Sequence, residues 1–240
     1  MIKQFLSLIL VAMLSMGMIA VTGEESLTLS DACSNCPTIT GNLSLCWDGE
    51  QGTDTTAYVS GGTLAGTSGG ATIDSNGAIC GDEGLDPAQD TDIHWNHTDN
   101  THLDAAEGYV CIDVRSSDWS GGTTGLWSNY VDANTRMKAT ITSAGYVQFS
   151  HKGDSSNGDN TTGTDAIPTD TDTTVCFGWS NTNGEISVKV GDNAWQDHTH
   201  SGTVTDYNTG AQDVFLGDAL NEGNQADKID NMKVYTAYKE

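Results

Sequence analysis

The chain predicts an all-β fold in which two antiparallel sheets pack face to face. Three observations predict it. Gly, Thr, Asp, Asn and Ser dominate while the prolines number three, a composition rich in turns and strands. Apolar and polar residues alternate with period two from about residue 106 onward. No stretch carries heptads or a sustained helical period.

Residues 1–23 have the pattern of an export signal. Lys3 supplies the positive start, Phe5 to Val21 is apolar, and Val21-Thr22-Gly23 offers small residues for cleavage before Glu24. Residues 24–42 form a cysteine-bearing lead-in, and residues 43–240 suit one domain of sandwich size. No second apolar stretch follows, so the processed chain is expected off the membrane and extracellular or at the cell surface.

The strands follow in order. Val110, Ile112 and Val114 share one face, with Cys111 on the other. Met137, Ala139 and Ile141 form a second apolar face. Ser143-Ala-Gly145 turns the chain into a strand carrying Val147 and Phe149. Val175, Phe177 and Trp179 line a further face, again with a cysteine, Cys176, opposite. Asn181-Thr-Asn-Gly184 is a hairpin turn before Ile186, Val188 and Val190. Val214 with Leu216, and Met232 with Val234, mark the last two strands. Residues 61–105 read as loops and short strands, and Asp86 to Asp104 has the weakest pattern.

The formal charge is −24, from 33 acidic and 9 basic residues. Nucleic acid and anionic membranes, which need a basic footprint, are excluded as partners. Such acidity suits solubility in a salty medium or divalent-cation binding by carboxylates. The six cysteines, Cys33, Cys36, Cys46, Cys80, Cys111 and Cys176, point to disulfides in an exported chain. Six allow fifteen pairings. A Cys111–Cys176 bridge follows if their strands are neighbours. Cys33-Ser-Asn-Cys36 lacks a redox context and reads as a structural bridge.

Two segments near the chain ends carry a family resemblance. Trp47-Asp-Gly-Glu-Gln-Gly-Thr-Asp-Thr-Thr-Ala-Tyr58, followed by Gly61-Gly62, resembles the opening of laminin G-like, concanavalin A-like jelly rolls. Lys228-Ile-Asp-Asn-Met-Lys-Val-Tyr235 is similar to their closing strand. Gly108 to Gly121 and Thr174 to Gly191 are similar to the central strands, so the resemblance covers about residues 43–238. It implies a jelly-roll sandwich and a binding role.

The resemblance also bears on a metal. Asp230 alternates in phase with apolar Met232 and Val234, and a buried carboxylate must be paired or bind a cation. In similar folds the corresponding acid helps hold calcium with groups from the opening strand. Asp48 and Glu50 are the matching positions, so the resemblance implies Asp48, Glu50 and Asp230 as candidate Ca2+ ligands; the alternative is an Asp230 carboxylate hydrogen-bonded to backbone amides where the two terminal strands meet. Asp154 to Asp159 and Asp90-Thr-Asp92 read as solvated turns. His94, His97, His102, His198 and His200 read as exposed polar residues, since no metalloprotease glutamate follows His94.

The expected function is non-catalytic binding of a glycan or a glycan-bearing surface. Glycosidases of similar fold carry a Glu-x-Asp-x-Glu strand, which this chain lacks, and no Gly-x-Ser-x-Gly elbow occurs. Flat aromatic rings with polar edges suit sugars. Trp95, Trp119, Trp127, Tyr130 and Trp195 fall in or beside the expected loops and are the candidate binding residues. Trp119 reads equally as a plug beneath its loop, whereas Trp47 and Trp179 read as core. A structural or adhesive subunit that self-assembles, and a hydrolase or lyase without a recognisable motif, are the alternatives.

Overall fold

A computed structural model of the chain describes residues 36, 41–49, 55–79, 83–86, 91–97, 102–104, 106–132, 135–153, 157–200, 212–217 and 226–239. The export signal, most of the lead-in, and Cys33, Glu50, Cys80, Asp90 and Asp154 lie outside the described residues.

Strands are numbered β1 to β17 in chain order and form two sheets. The first runs, in spatial order, β15 (Gln196–Thr199), β14 (Glu185–Val190), β13 (Thr173–Ser180), β8 (Glu107–Arg115), β17 (Lys228–Tyr235), β1 (Leu43–Trp47), β2 (Ala57–Val59) and β3 (Gly62–Leu64). A short strand β6 (Gly84–Asp86) joins β17 and also pairs with β5 (Thr72–Asp74). The second sheet runs β12 (Asn157–Ala166), β11 (Tyr146–Gly153), β10 (Thr135–Ile141), β9 (Thr124–Asp132), β16 (Gln212–Gly217), β7 (Asp92–His97) and β4 (Thr67–Ser68). Neighbouring strands are antiparallel in both sheets, as in the pairs β8–β13, β8–β17, β9–β10 and β7–β16.

The core lies between the sheets. Each of the alternating apolar sets expected above is buried there: Val110, Ile112 and Val114; Met137, Ala139 and Ile141; Val147 and Phe149; Val175, Phe177 and Trp179; Ile186, Val188 and Val190. Aromatic contacts tie one sheet to the other. Phe177 lies 5.0 Å from Phe149 and 5.2 Å from Trp127, and Trp47 lies 6.2 Å from Trp95, all between ring centroids. Pairs of this kind contribute on the order of 1 kcal/mol each beyond the area they bury. The turns match their residues too. Gly145 and Gly184 take left-handed φ of 79° and 63°, which a side chain resists.

Among the described residues, two disulfides staple the first sheet. Cys111 and Cys176 are direct cross-strand partners on β8 and β13, and they are bridged. Cys36 is bonded to Cys46 on β1, so the Cys33-Ser-Asn-Cys36 motif is not a bridge within itself. The lead-in is instead tied to the first strand of the domain.

The sequence pattern misplaced three features. The weakly patterned stretch from Asp86 to Asp104 contains β7, whose Ile93 and Trp95 enter the core. The segment holding Trp127 is the nine-residue strand β9 rather than a loop. Asp230 does not share a face with Met232 and Val234. The ladder pairs Ile229 with Val114 and Asp230 with Asp113, then shifts register before Lys233 meets Cys111. Asn231 sits at the shift with φ of 48°. It is one extra residue, a bulge that reverses the alternation within β17. Ile229, Met232 and Val234 therefore face the core, while Asp230 stands beside Asp113 on the other side of the sheet.

Candidate functional site

The structure separates the five candidate aromatics. Trp95 and Trp127 are core residues with relative exposures of 0% and 1%, so they cannot meet a ligand on the rim. Trp119 is the plug: it is buried, and a Cβ added at Gly145 would stand 3.1 Å from its ring. Tyr130 lies on β9, opposite Arg136 and Asp213. Trp195, before β15, is the single Trp of the six that is not buried.

Trp195 belongs to an aromatic cluster on the outward face of the first sheet. Tyr109 on β8 and Tyr235 on β17 are cross-strand partners, and their rings stack at 4.1 Å with planes 8° apart. Trp195 meets Tyr109 edge-on at 6.0 Å. The cluster rests on the Cys111–Cys176 bridge. Tyr109 is in phase with Cys111, and Tyr235 with Lys233, so both point away from the core for the same reason that the cysteines do.

A polar rim borders the rings. The Ser187 hydroxyl donates to Asp197 at 2.8 Å and lies 2.6 Å from the Tyr238 hydroxyl, which donates to Glu185 at 3.1 Å. Lys239 bonds Asp197 and sits 5.8 Å from the centre of the Trp195 ring and 4.8 Å from that of Tyr238. Gly178, opposite Tyr109, makes room for this arrangement: a Cβ there would lie 3.3 Å from the Tyr109 Cβ and 3.5 Å from the Tyr238 ring. Burial disfavours the charges here, yet the bonds between Lys239 and Asp197 outweigh it. They hold the Asp197 carboxyl below, and the Lys239 amine above, its ordinary range. Burial raises the Tyr238 hydroxyl. The result is a set of flat rings, Trp195, Tyr235 and Tyr238 half-buried around buried Tyr109, beside fixed donors and acceptors, the chemistry that packs on the apolar face of a sugar and bonds its hydroxyls.

Sequence reasoning named Trp195 as a candidate and did not name its neighbours Tyr109, Tyr235, Tyr238 and Lys239. A signal for Tyr109 was present: it alternates with Cys111, which the sequence places opposite the apolar set.

The proposed calcium ligands have other partners. Asp230 accepts from the Ile79 amide at 3.0 Å and from the Asn231 amide at 2.8 Å. Asp48 accepts from the Cys36 amide at 2.8 Å. Among the described residues, no group of three His, Cys, Asp or Glu gathers around a common point, and Glu50 lies outside them. Nor are all the histidines exposed. His200 is buried, with its Nε2 3.0 Å from Nδ1 of buried His151, and His102 is half-buried with its pKa lowered by burial. His94 bonds Asp92 at 2.7 Å.

No known protein family matches the sequence, and no curated protein matches it. Solved structures do match the fold. The binding domain of botulinum neurotoxin DC, solved with rat synaptotagmin II, aligns with a TM-score of 0.61 at 11% identity. The botulinum neurotoxin type C structure whose cell entry depends on interaction with two ganglioside molecules gives 0.60 at 12%. In both cases 83% of this chain covers 49% of the other. Trypanosoma rangeli sialidase with 2,3-difluorosialic acid gives 0.56 at 12%, 89% of this chain covering 34% of that one. The likeness is one of fold. It establishes the antiparallel β-sandwich, and the chain spans about half of the toxin domains and a third of the sialidase.

Proposed function

We propose that this protein is a secreted, non-catalytic glycan-binding domain of laminin G-like, concanavalin A-like type, and that it holds sugar on the Trp195 cluster. The observation that carries the reading is the selective exposure of Trp195, set edge-on to Tyr109 of the stacked Tyr109–Tyr235 pair and rimmed by Ser187, Glu185, Asp197 and Lys239. The fold shared with the ganglioside-dependent toxin supports it by analogy. The Cys36–Cys46 and Cys111–Cys176 disulfides support an oxidising, extracellular setting.

Trp195→Ala should weaken binding on an immobilised glycan panel at least tenfold, the scale of one lost aromatic anchor, while the melting temperature stays within a few degrees. Unchanged binding by this variant would move the site elsewhere.

Calcium assistance through Asp48, Glu50 and Asp230 is the subsidiary part of the proposal. Melting in millimolar calcium and in EGTA tests it directly. The expected result is a stabilisation of several degrees, lost in Asp230→Ala. Identical melts would leave Asp230 as a carboxylate bonded to two backbone amides.

A further inference from the structure

We infer that Lys189 makes the Trp195 site select a sugar bearing an acidic group, a carboxylate or a sulfate; this rests on the reading of that site as the glycan-binding one. Lys189 lies on β14 between Val188 and Val190, which face the core, so it belongs to the outward face. There it is the cross-strand partner of Cys176, one half of the bridge on which the Trp195 cluster rests. Trp195 reaches the same place from the other side of the hairpin. The ladder pairs Val188 with Gln196, and one position beyond that pair stand Lys189, after Val188, and Trp195, before Gln196. Residues so placed on antiparallel strands are neighbours.

Its charge is the uncommitted one. Arg115 pairs with Asp172, Lys228 donates to the Ala78 carbonyl at 2.8 Å, and Lys239 bonds Asp197. Arg136, Lys138, Lys152 and Lys233 have partners as well. Among the described residues, Lys189 alone of the Lys and Arg has none. The chain holds 33 acidic residues against 9 Lys and Arg, so acids to pair with it were plentiful. An ammonium left open at this one place, beside the one Trp that is not buried, is available to a ligand.

The carboxylates of the rim do not cancel it. Asp197 is held by Lys239 and by the Ser187 hydroxyl, and Glu185 lies 3.9 Å from the Lys239 amine and accepts from Tyr238. Asp192, in the turn that follows β14, is exposed, where water and salt screen its charge. Lys189 is half-buried, so an ion pair made there is screened less than one on an open surface. A flat ring next to an ammonium can hold the apolar face of a sugar and its acidic substituent together. Glu185 and Asp197 remain as acceptors for the hydroxyls. The acidity of the whole chain repels long polyanions and favours a sugar with a single acidic group.

The test is a saccharide array with carboxylated, sulfated and neutral arms at equal density, probed with the wild type, Lys189→Gln, Lys189→Arg and Trp195→Ala. The expected result for the wild type is about tenfold stronger retention on one acidic arm than on the neutral arm, the scale of one charge-assisted bond, and the preferred arm names the group. Lys189→Gln should bring that arm down to the wild-type level on the neutral arm. Its melting temperature should not move, because Lys189 bonds no other described residue. Lys189→Arg should keep most of the excess, and Trp195→Ala should lower every arm. Equal retention on all arms, or an acidic preference that survives Lys189→Gln, would overturn the role of Lys189, while a loss in Trp195→Ala would still uphold the site. Retention that Trp195→Ala leaves untouched on every arm would overturn the site itself.

Discussion

Asp113 shows how one residue sets a pH dependence. Its carboxyl is buried on the outward side of the sheet, accepting from Thr174 at 2.5 Å and from Asn231 at 3.2 Å. Burial outweighs these bonds and the nearby Lys233 charge, and pushes its pKa up from 3.8 to about 6. The native state then holds this proton more tightly than the unfolded chain does. Between about pH 4 and 6 the contribution of Asp113 to stability falls as pH rises. Holding the carboxylate ionised at neutral pH costs on the order of 3 kcal/mol for a rise of that size. Denaturation of Asp113→Asn should therefore show a stability equal to or above wild type at pH 7.5, with that relative gain shrinking towards pH 4. A constant difference across the range would mean that Asp113 does not titrate in this window. At this scale the sequence exposed residue type but not surroundings. Trp95 and Trp195 look alike in the chain, each amid polar residues, and only the pairing of β7 with β16 and β4 puts the first in the core.

Among the elements, strands with clean alternation were legible and strands without it were not. β10, β11, β13 and β14 each read correctly because one face meets the core and the other does not. β12 escaped because Asn157–Ala166 is mostly Gly, Thr, Asp and Asn, an edge strand whose inward positions include Thr161 and Gly163. β17 was legible as a strand but not in phase, because a bulge is invisible to a period-two count. The Cys111–Cys176 bridge was legible because both cysteines oppose apolar sets, and the structure adds that they share a rung. Its closed loop spans a separation of 65 residues, for which loop entropy gives about 4 kcal/mol. Urea unfolding of Cys111→Ser/Cys176→Ser should show a loss of that order. It should also loosen the seat of Tyr109, so the proposed sugar binding should weaken alongside stability.

For the whole molecule, net charge bears on stability in a way that strand order and packing do not reveal. A formal charge of −24 makes the folded state repel itself, and salt screens that repulsion. The melting temperature should climb by several degrees between about 10 mM and 0.5 M sodium chloride, where the Debye length drops from about 30 Å to a few ångström. A flat response would mean that local ion pairs already balance the charge.

The position of β17 has a consequence for how the protein is made. This strand, the last among the described residues, lies between β8 and β1 near the middle of the larger sheet, and β1 is the first of the described strands. Neither neighbour can complete its ladder until β17 has emerged from whatever is synthesising or threading the chain. The domain therefore stays unfinished while its earlier strands are made and closes only when β17 is free to enter between β8 and β1.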